Sequence, residues 1–282
     1  MRPPTDANPF VGGSDPGASL AALVLRPLDG LPAWSEVLAV VAHPDDESFG
    51  LGALLSSFVA AGARVSLLCL THGEASTLHG VEGDLGLIRA RELAAAAAAL
   101  GIAQVRLAAF PDGGLSGVDL EAIVAEIADF ASDARTDGVV AFDRGGVTGH
   151  PDHRRATEAT MAFGSRVGLP VLGWALPQAV ASALNAEFGA DFSGYGRSAI
   201  DLRVPVDRER QRSAIALHRS QSLPGQALWR RLELTGANEH ARWQDEAPLR
   251  VGPSRARETR PAATTHTAGT TNAATAAKQP TR

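Results

Sequence analysis

Short uninterrupted apolar runs alternate along the chain with longer segments of helical spacing. Residues 37–42 (VLAVVA) and 65–70 predict strands buried on both faces, and 105–109, 138–142 and 171–175 predict three further strands. Between them, 52–61, 87–100, 118–134 and 152–167 carry apolar residues near a helical period, and Gly62 and Gly101 stand where C-caps belong. Further on, 200–206 predicts a strand and 207–218 a helix. Strands alternating with helices predict an α/β fold whose sheet is mostly parallel, with helices on both faces. Ligands of such sheets bind beyond the carboxyl ends of the strands. The residues that follow each strand are therefore the ones to read for chemistry.

The flanks break this pattern. Residues 1–35 are rich in Pro, Gly and Asp and predict an irregular N-terminal arm. Residues 247–282 are mainly Thr, Ala, Pro and Arg with no apolar period, which predicts a disordered tail. That tail holds six bases and one acid, so the net charge of −5 divides into +5 there and −10 elsewhere. It is expected to take no part in the chemistry. One domain is expected over 36–246. An acidic body does not suit nucleic-acid binding. No apolar stretch approaches ~18 residues, so no membrane span is expected, and the run 20–25 is short and poorly flanked for a signal peptide. The single cysteine, Cys69, excludes an internal disulfide and a Cys-rich zinc site, and lies in an apolar strand where it reads as core. A cytoplasmic enzyme is expected.

Two strand ends carry a concentration of ligating groups. The first strand runs into His43-Pro44-Asp45-Asp46-Glu47, and the fourth into Asp143 and then His150-Pro151-Asp152-His153. Imidazole and carboxylate suit Zn²⁺ or Fe²⁺, and three protein ligands with an open position make a catalytic metal site. The prolines hold the preceding histidines extended. Helix capping explains one such motif equally well, but hardly two at equivalent strand ends. Gly50-Leu51-Gly52 lacks the third glycine of a dinucleotide fingerprint, because Leu55 stands in its place. His72 reads as a rim residue, and Trp174, near the end of the fifth strand, as packing or as a sugar platform.

Taken together, Ala42-His43-Pro44-Asp45-Asp46-Glu47 and His150-Pro151-Asp152-His153 resemble the PIG-L/LmbE-like family of zinc-dependent N-deacetylases. Thr71-His72-Gly73-Glu74 is similar to the family's T-x-G-E loop. Arg89-Ala90-Arg91-Glu92-Leu93 is similar to its R-x-x-E-L helix, Pro111-Asp112-Gly113 to its third-strand loop, and His218-Arg219-Ser220-Gln221 to its late H-x-S-Q. The resemblance implies a Rossmann-like three-layer fold. It makes His43, Asp46 and His153 the metal ligands, Asp45 the general base, and His150 the group that stabilises the oxyanion or assists the leaving amine. Asp152 would orient His150 or a ligand histidine. Asp112 and Arg89 would lie in the substrate region, and His218 either lines it too or is a buried helix-end residue. Thr148 stands where some members place a tyrosine beside the active site.

The chemistry agrees with these assignments. An acetamide is a poor electrophile with a poor leaving group. A metal acidifies water and polarises the carbonyl, an adjacent non-ligand carboxylate takes a proton, and a donor meets the oxyanion. The expected activity is zinc-dependent (or Fe²⁺-dependent) removal of an acetyl group from an N-acetylated amino sugar or its conjugate. The alternatives are a deacetylase of a thiol conjugate or glycosylated natural product, and a non-catalytic sugar-binding member of the same fold. The expected partner is a small molecule, not a nucleic acid or a membrane.

Overall fold

The computed structural model describes residues 28–78, 81–132 and 135–244. The expected tail, residues 1–27 of the expected arm and His79 lie outside them. The elements in chain order are β1 (Leu28–Asp29), β2 (Glu36–Val41), α1 (Asp46–Phe49), α2 (Gly52–Ala60), β3 (Arg64–Thr71), α3 (Leu85–Leu100), β4 (Gln104–Phe110), α4 (Leu120–Ser132), β5 (Gly138–Phe142), α5 (Pro151–Val167) and β6 (Val171–Trp174). They continue with β7 (Leu176–Pro177), α6 (Gln178–Phe188), β8 (Gly194–Tyr195), β9 (Leu202–Pro205), α7 (Glu209–Leu217), α8 (Ala227–Thr235) and β10 (Asn238–Trp243).

The main sheet has the order β1-β9-β10-β6-β5-β2-β3-β4. All its pairings are parallel except those of β10, which runs antiparallel to both β6 and β9. Alternation within β2 produces the layers. Val37, Ala39 and Val41 face a core closed by α2, α3, α6 and α7, while Leu38, Val40 and Ala42 face α4 and α5. This is the expected Rossmann-like three-layer α/β fold. Each continuous apolar run is a strand, and both faces are covered except in β4, which stands at the sheet edge with Val105 and Ala109 exposed.

Several boundaries differ. The arm is not wholly irregular, since Leu28 and Asp29 pair with Leu202 and Arg203. The helix expected from residue 87 starts at Leu85, because the Asp84 side chain caps it by accepting the Leu87 amide. The helix expected from 118 starts at Leu120, after a 3₁₀ turn at Leu115–Gly117. The pattern did not predict β7, β8, β10, α6 or α8. Cys69 is buried and free in β3.

Gly138 opens β5 directly under Trp34, whose indole stacks on Phe58 with ring centroids 5.7 Å apart. A Cβ at Gly138 would overlap Cζ2 of that indole. Gly138→Ala is therefore expected to destabilise the protein by about 1–3 kcal/mol, measurable as a lower urea midpoint at unchanged slope.

Strand order reverses between β2 and β5: the chain adds β3 and β4 on one side of β2, then crosses to place β5 and β6 on the other. The crevice at that reversal is where open α/β sheets bind ligands. His43 leaves β2 on one side of it, and the segment 143–153 leaves β5 on the other.

Candidate active site

Eight of the nine residues singled out in the sequence meet at this crevice. His43 is buried, and its two ring nitrogens face opposite ways. Nε2 lies 3.1 Å from Asp112 Oδ1 and 3.2 Å from Asp152 Oδ2. Nδ1 lies 3.2 Å from His153 Nε2 and 3.6 Å from Asp46 Oδ2. His153 Nε2 is 3.1 Å from Asp46 Oδ1, and its Nδ1 is 3.1 Å from the Gly146 carbonyl.

These partners fix the tautomers. Carboxylates at His43 Nε2 and a carbonyl at His153 Nδ1 each require a proton on that nitrogen. His43 Nδ1 and His153 Nε2 then turn bare lone pairs toward one another, with the Asp46 carboxylate beside them. Three lone-pair donors converging in this way call for a cation, whether a proton or a metal ion. Their separations of 3.1–3.6 Å suit the set: donors ~2.0–2.2 Å from a tetrahedral divalent ion sit roughly 3.3–3.5 Å apart. His43, His150 and Asp152 also cluster closely enough to be considered as ligands. Their lone pairs are already engaged: Asp152 accepts the Gly113 amide at 2.7 Å and the Leu115 amide at 3.0 Å, and His150 Nδ1 accepts the Asp152 amide at 3.2 Å.

The electrostatics agree. Desolvation lowers the His43 pKa, yet hydrogen bonds to Asp112 and Asp152 and the charges of Asp46 and Asp45 carry it up to about 10. The cluster attracts positive charge strongly enough to reverse the cost of burial. Burial pushes Asp46 up, but the His153 charge and hydrogen bond, with His43, hold it well below the usual carboxylate range. Burial raises Asp45 to about 6, opposed by Arg89 and reinforced by Asp46. Desolvation and the neighbouring His153 and His43 lower His150.

Asp45 is not among the converging donors. Its carboxylate lies 3.0 Å from Arg89 Nη2, and the same guanidinium donates to the carbonyls of Pro44 and Gly73. Arg89 is buried and occupied by these bonds, so it anchors Asp45 rather than lining the substrate region as the resemblance implied. Asp112 faces His43 through Oδ1 and accepts the Ala75 amide through Oδ2 at 2.8 Å. Asp152 contacts both histidines, His43 through its carboxylate and His150 through its backbone amide. His150, half-buried, keeps its Nε2–H available because Nδ1 is the acceptor.

The ninth residue, His218, is not in the substrate region. It is fully buried behind the loop 43–47, with Nε2 at 2.6 Å from Glu47 Oε1. Trp174 is also buried, donating Nε1–H to Glu239 at 2.8 Å, and makes no sugar platform. His72 is half-buried and Thr148 exposed. The sequence reading assigned no role to Glu47 or to the Gly146 carbonyl. The carbonyl is turned toward His153 by the turn Gly146–Gly149, in which Val147 takes φ 65° and ψ −68°. No side chain announces a carbonyl acceptor. A charged residue directly after a ligand motif, leading into a buried helix, was the available signal for Glu47.

Residues 38–163 match the PIG-L family, described as GlcNAc-PI de-N-acetylase. The chain is similar to a 1D-myo-inositol 2-acetamido-2-deoxy-alpha-D-glucopyranoside deacetylase of Nakamurella multipartita. The two are 30% identical over 275 residues, covering 78% of this chain and 92% of the relative. A protein of the same description from Kineococcus radiotolerans is 34% identical over 168 residues, covering 49% of this chain and 46% of the relative. The match spans about half the length of several such relatives. Among solved structures, the deacetylase of the antimicrobial A40926 pseudoaglycone superposes with a TM-score of 0.58 at 22% identity. That comparison covers 74% of this chain and 96% of the other and supports the fold.

Proposed function

This chain belongs to the PIG-L family of de-N-acetylases, and we propose that it is a zinc-dependent hydrolase that removes the acetyl group from an N-acetylated amino sugar or its conjugate. The observation that carries this is the convergence of His43 Nδ1, His153 Nε2 and Asp46 beside a carboxylate, Asp45, that Arg89 holds apart from them. Two imidazoles and one carboxylate suit Zn²⁺, with Fe²⁺ as the alternative ion. Among the described residues no helix is long and apolar enough to cross a membrane. A chain whose one cysteine is buried and unpaired needs no oxidising compartment, and we place the reaction in the cytoplasm.

When bound, the ion supplies Lewis acidity, acidifying a water and polarising the amide carbonyl. Asp45 takes the attacking water's proton, and its raised pKa brings it nearer the operating pH of a general base. His150 donates its Nε2–H toward the developing oxyanion. Either Asp45, then protonated, or His150 returns a proton to the departing amine. Asp152 serves both histidines: its carboxylate fixes the tautomer of His43, and its backbone amide fixes that of His150.

Acetate release from N-acetylglucosamine and from its inositol conjugate tests this reading. Release should stop on chelation and return with Zn²⁺. A chain carrying one metal but releasing no acetate from any N-acetylhexosamine conjugate would overturn it. A glycosylated natural product is the second reading, favoured by the structural likeness to the pseudoaglycone deacetylase, and acetate release confined to such conjugates would select it. His150→Ala should keep its metal, lower kcat by about 10²–10³-fold and leave KM within a few fold, because its contact strengthens in the transition state.

A further inference from the structure

Each polar residue of His218-Arg219-Ser220-Gln221 that is buried grips a different segment of the active-site edge. His218 Nε2 meets Glu47 Oε1 at 2.6 Å. The Ser220 amide and hydroxyl donate to the two oxygens of Glu92, at 2.9 and 2.6 Å. Gln221 accepts from the Ser76 hydroxyl at 2.8 Å and donates to the Leu78 carbonyl. All three side chains are buried, so none is free to meet a substrate.

The tightest of these chains of contacts ends at Asp45. That residue has φ 133° and ψ −27°, a backbone region open to glycine and costly for a residue with a Cβ. Its amide donates to Glu47 Oε2 at 2.9 Å, only two residues ahead. Glu47 is itself fully buried, and its other oxygen accepts from Ser48 Oγ at 2.6 Å as well as facing His218. On the opposite side, Arg89 grips the Asp45 carboxylate and the Pro44 carbonyl. Arg89 and Glu92 lie three apart on α3, hence on one helical face. The same face therefore holds the Asp45 side chain and, through Glu92, the segment that carries His218.

We propose that His218 is a positioning residue: through Glu47 it holds the backbone of Asp45 in its strained conformation and so aims the general base. The inference rests on the assignment of Asp45 as base. The buried contact has one function that a satisfied core histidine would lack. Releasing Glu47 frees the Asp45 amide, and a residue at φ 133° then relaxes toward the ordinary basin, swinging its carboxylate. Two of the donors have holds that do not run through Glu47: Asp46 accepts the His43 amide at 2.9 Å and His153 faces the Gly146 carbonyl.

The test compares His218→Gln with His218→Asn. A glutamine amide nitrogen reaches the position of Nε2, whereas asparagine falls short of Glu47. Asparagine is expected to lower kcat by about 10–100-fold, the usual effect of an outer-shell orienting partner, with KM and metal per chain unchanged. Glutamine should restore most of the loss. Glu47→Gln should match asparagine, and Glu47→Gln combined with His218→Asn should lose little more, since one contact is being removed twice. Wild-type kcat in His218→Asn, equal losses in the two His218 variants, or a loss confined to KM or to metal content would each overturn the proposal. Glu47→Gln supplies the same decision should His218→Asn fail to fold. Asp45→Asn run alongside separates the two levels: if it is fully active the base assignment itself fails, and if it is inactive while His218→Asn is unaffected only the brace fails.

Discussion

Replacing His153 with alanine is expected to strip the metal from the protein and abolish turnover. A divalent ion held by two imidazoles and a carboxylate shares roughly 10–16 kcal/mol of binding free energy among few donors. Losing one donor should therefore weaken the affinity by at least about 10³-fold. His153 Nε2 is also the donor nearest to Asp46 Oδ1, at 3.1 Å. Without it, Asp46 and the bare Nδ1 of His43 face a gap. Competition with a chromogenic chelator gives the affinity directly, independent of any substrate. His153→Ala retaining one tightly held metal per chain would remove His153 from the ligand set.

Asp45→Asn should behave in the opposite way. The carboxamide preserves shape and can still accept from Arg89, so the metal should remain at full stoichiometry. What disappears is the ability to accept a proton, an effect worth roughly 10²–10⁴-fold in kcat. Elemental analysis and steady-state kinetics on one sample read both halves of the expectation. Near-normal turnover with metal bound would pass the role of base to another group.

These two residues were legible in the sequence for the same reason. His43, Asp45 and Asp46 follow directly on β2, and His150, Asp152 and His153 stand one turn beyond β5; both strands have unmistakable apolar runs, and strand ends are where such a sheet binds. His218 was legible as one of two alternatives, a buried helix-end residue or a pocket residue, but its partner was not. Its burial follows from a pairing with Glu47, 171 positions away, and no local period encodes that. Arg89 read as a substrate contact for a related reason: a cation near an active-site loop looks available until its bonds to Pro44, Gly73 and Asp45 are counted. Among the elements, β10 was missed because its inward position Glu239 is charged. It is buried only because Arg208, Arg231 and Trp174 surround it from separate segments. Helix α8 was hidden likewise, since Arg231 occupies a core-facing position. β1, β7 and β8 have two residues each, too few for any period to show.

The position of β10 governs how the chain comes together during synthesis. It is the last described strand, yet it lies inside the sheet, between β6 and β9. Until residue 243 has left the ribosome, β6 presents an open edge along Leu172–Trp174, and β9 with β1 has nothing to attach to. An open strand edge flanked by apolar faces is a template for pairing with other chains. The five strands from β2 to β6 thus wait through roughly seventy further residues for an antiparallel latch, which both seals that edge and brings in the β1–β9 pair. A nascent chain stalled before residue 238 would be exposed to aggregation in proportion to the length of the stall, although every residue of the crevice from His43 to His153 had already been made.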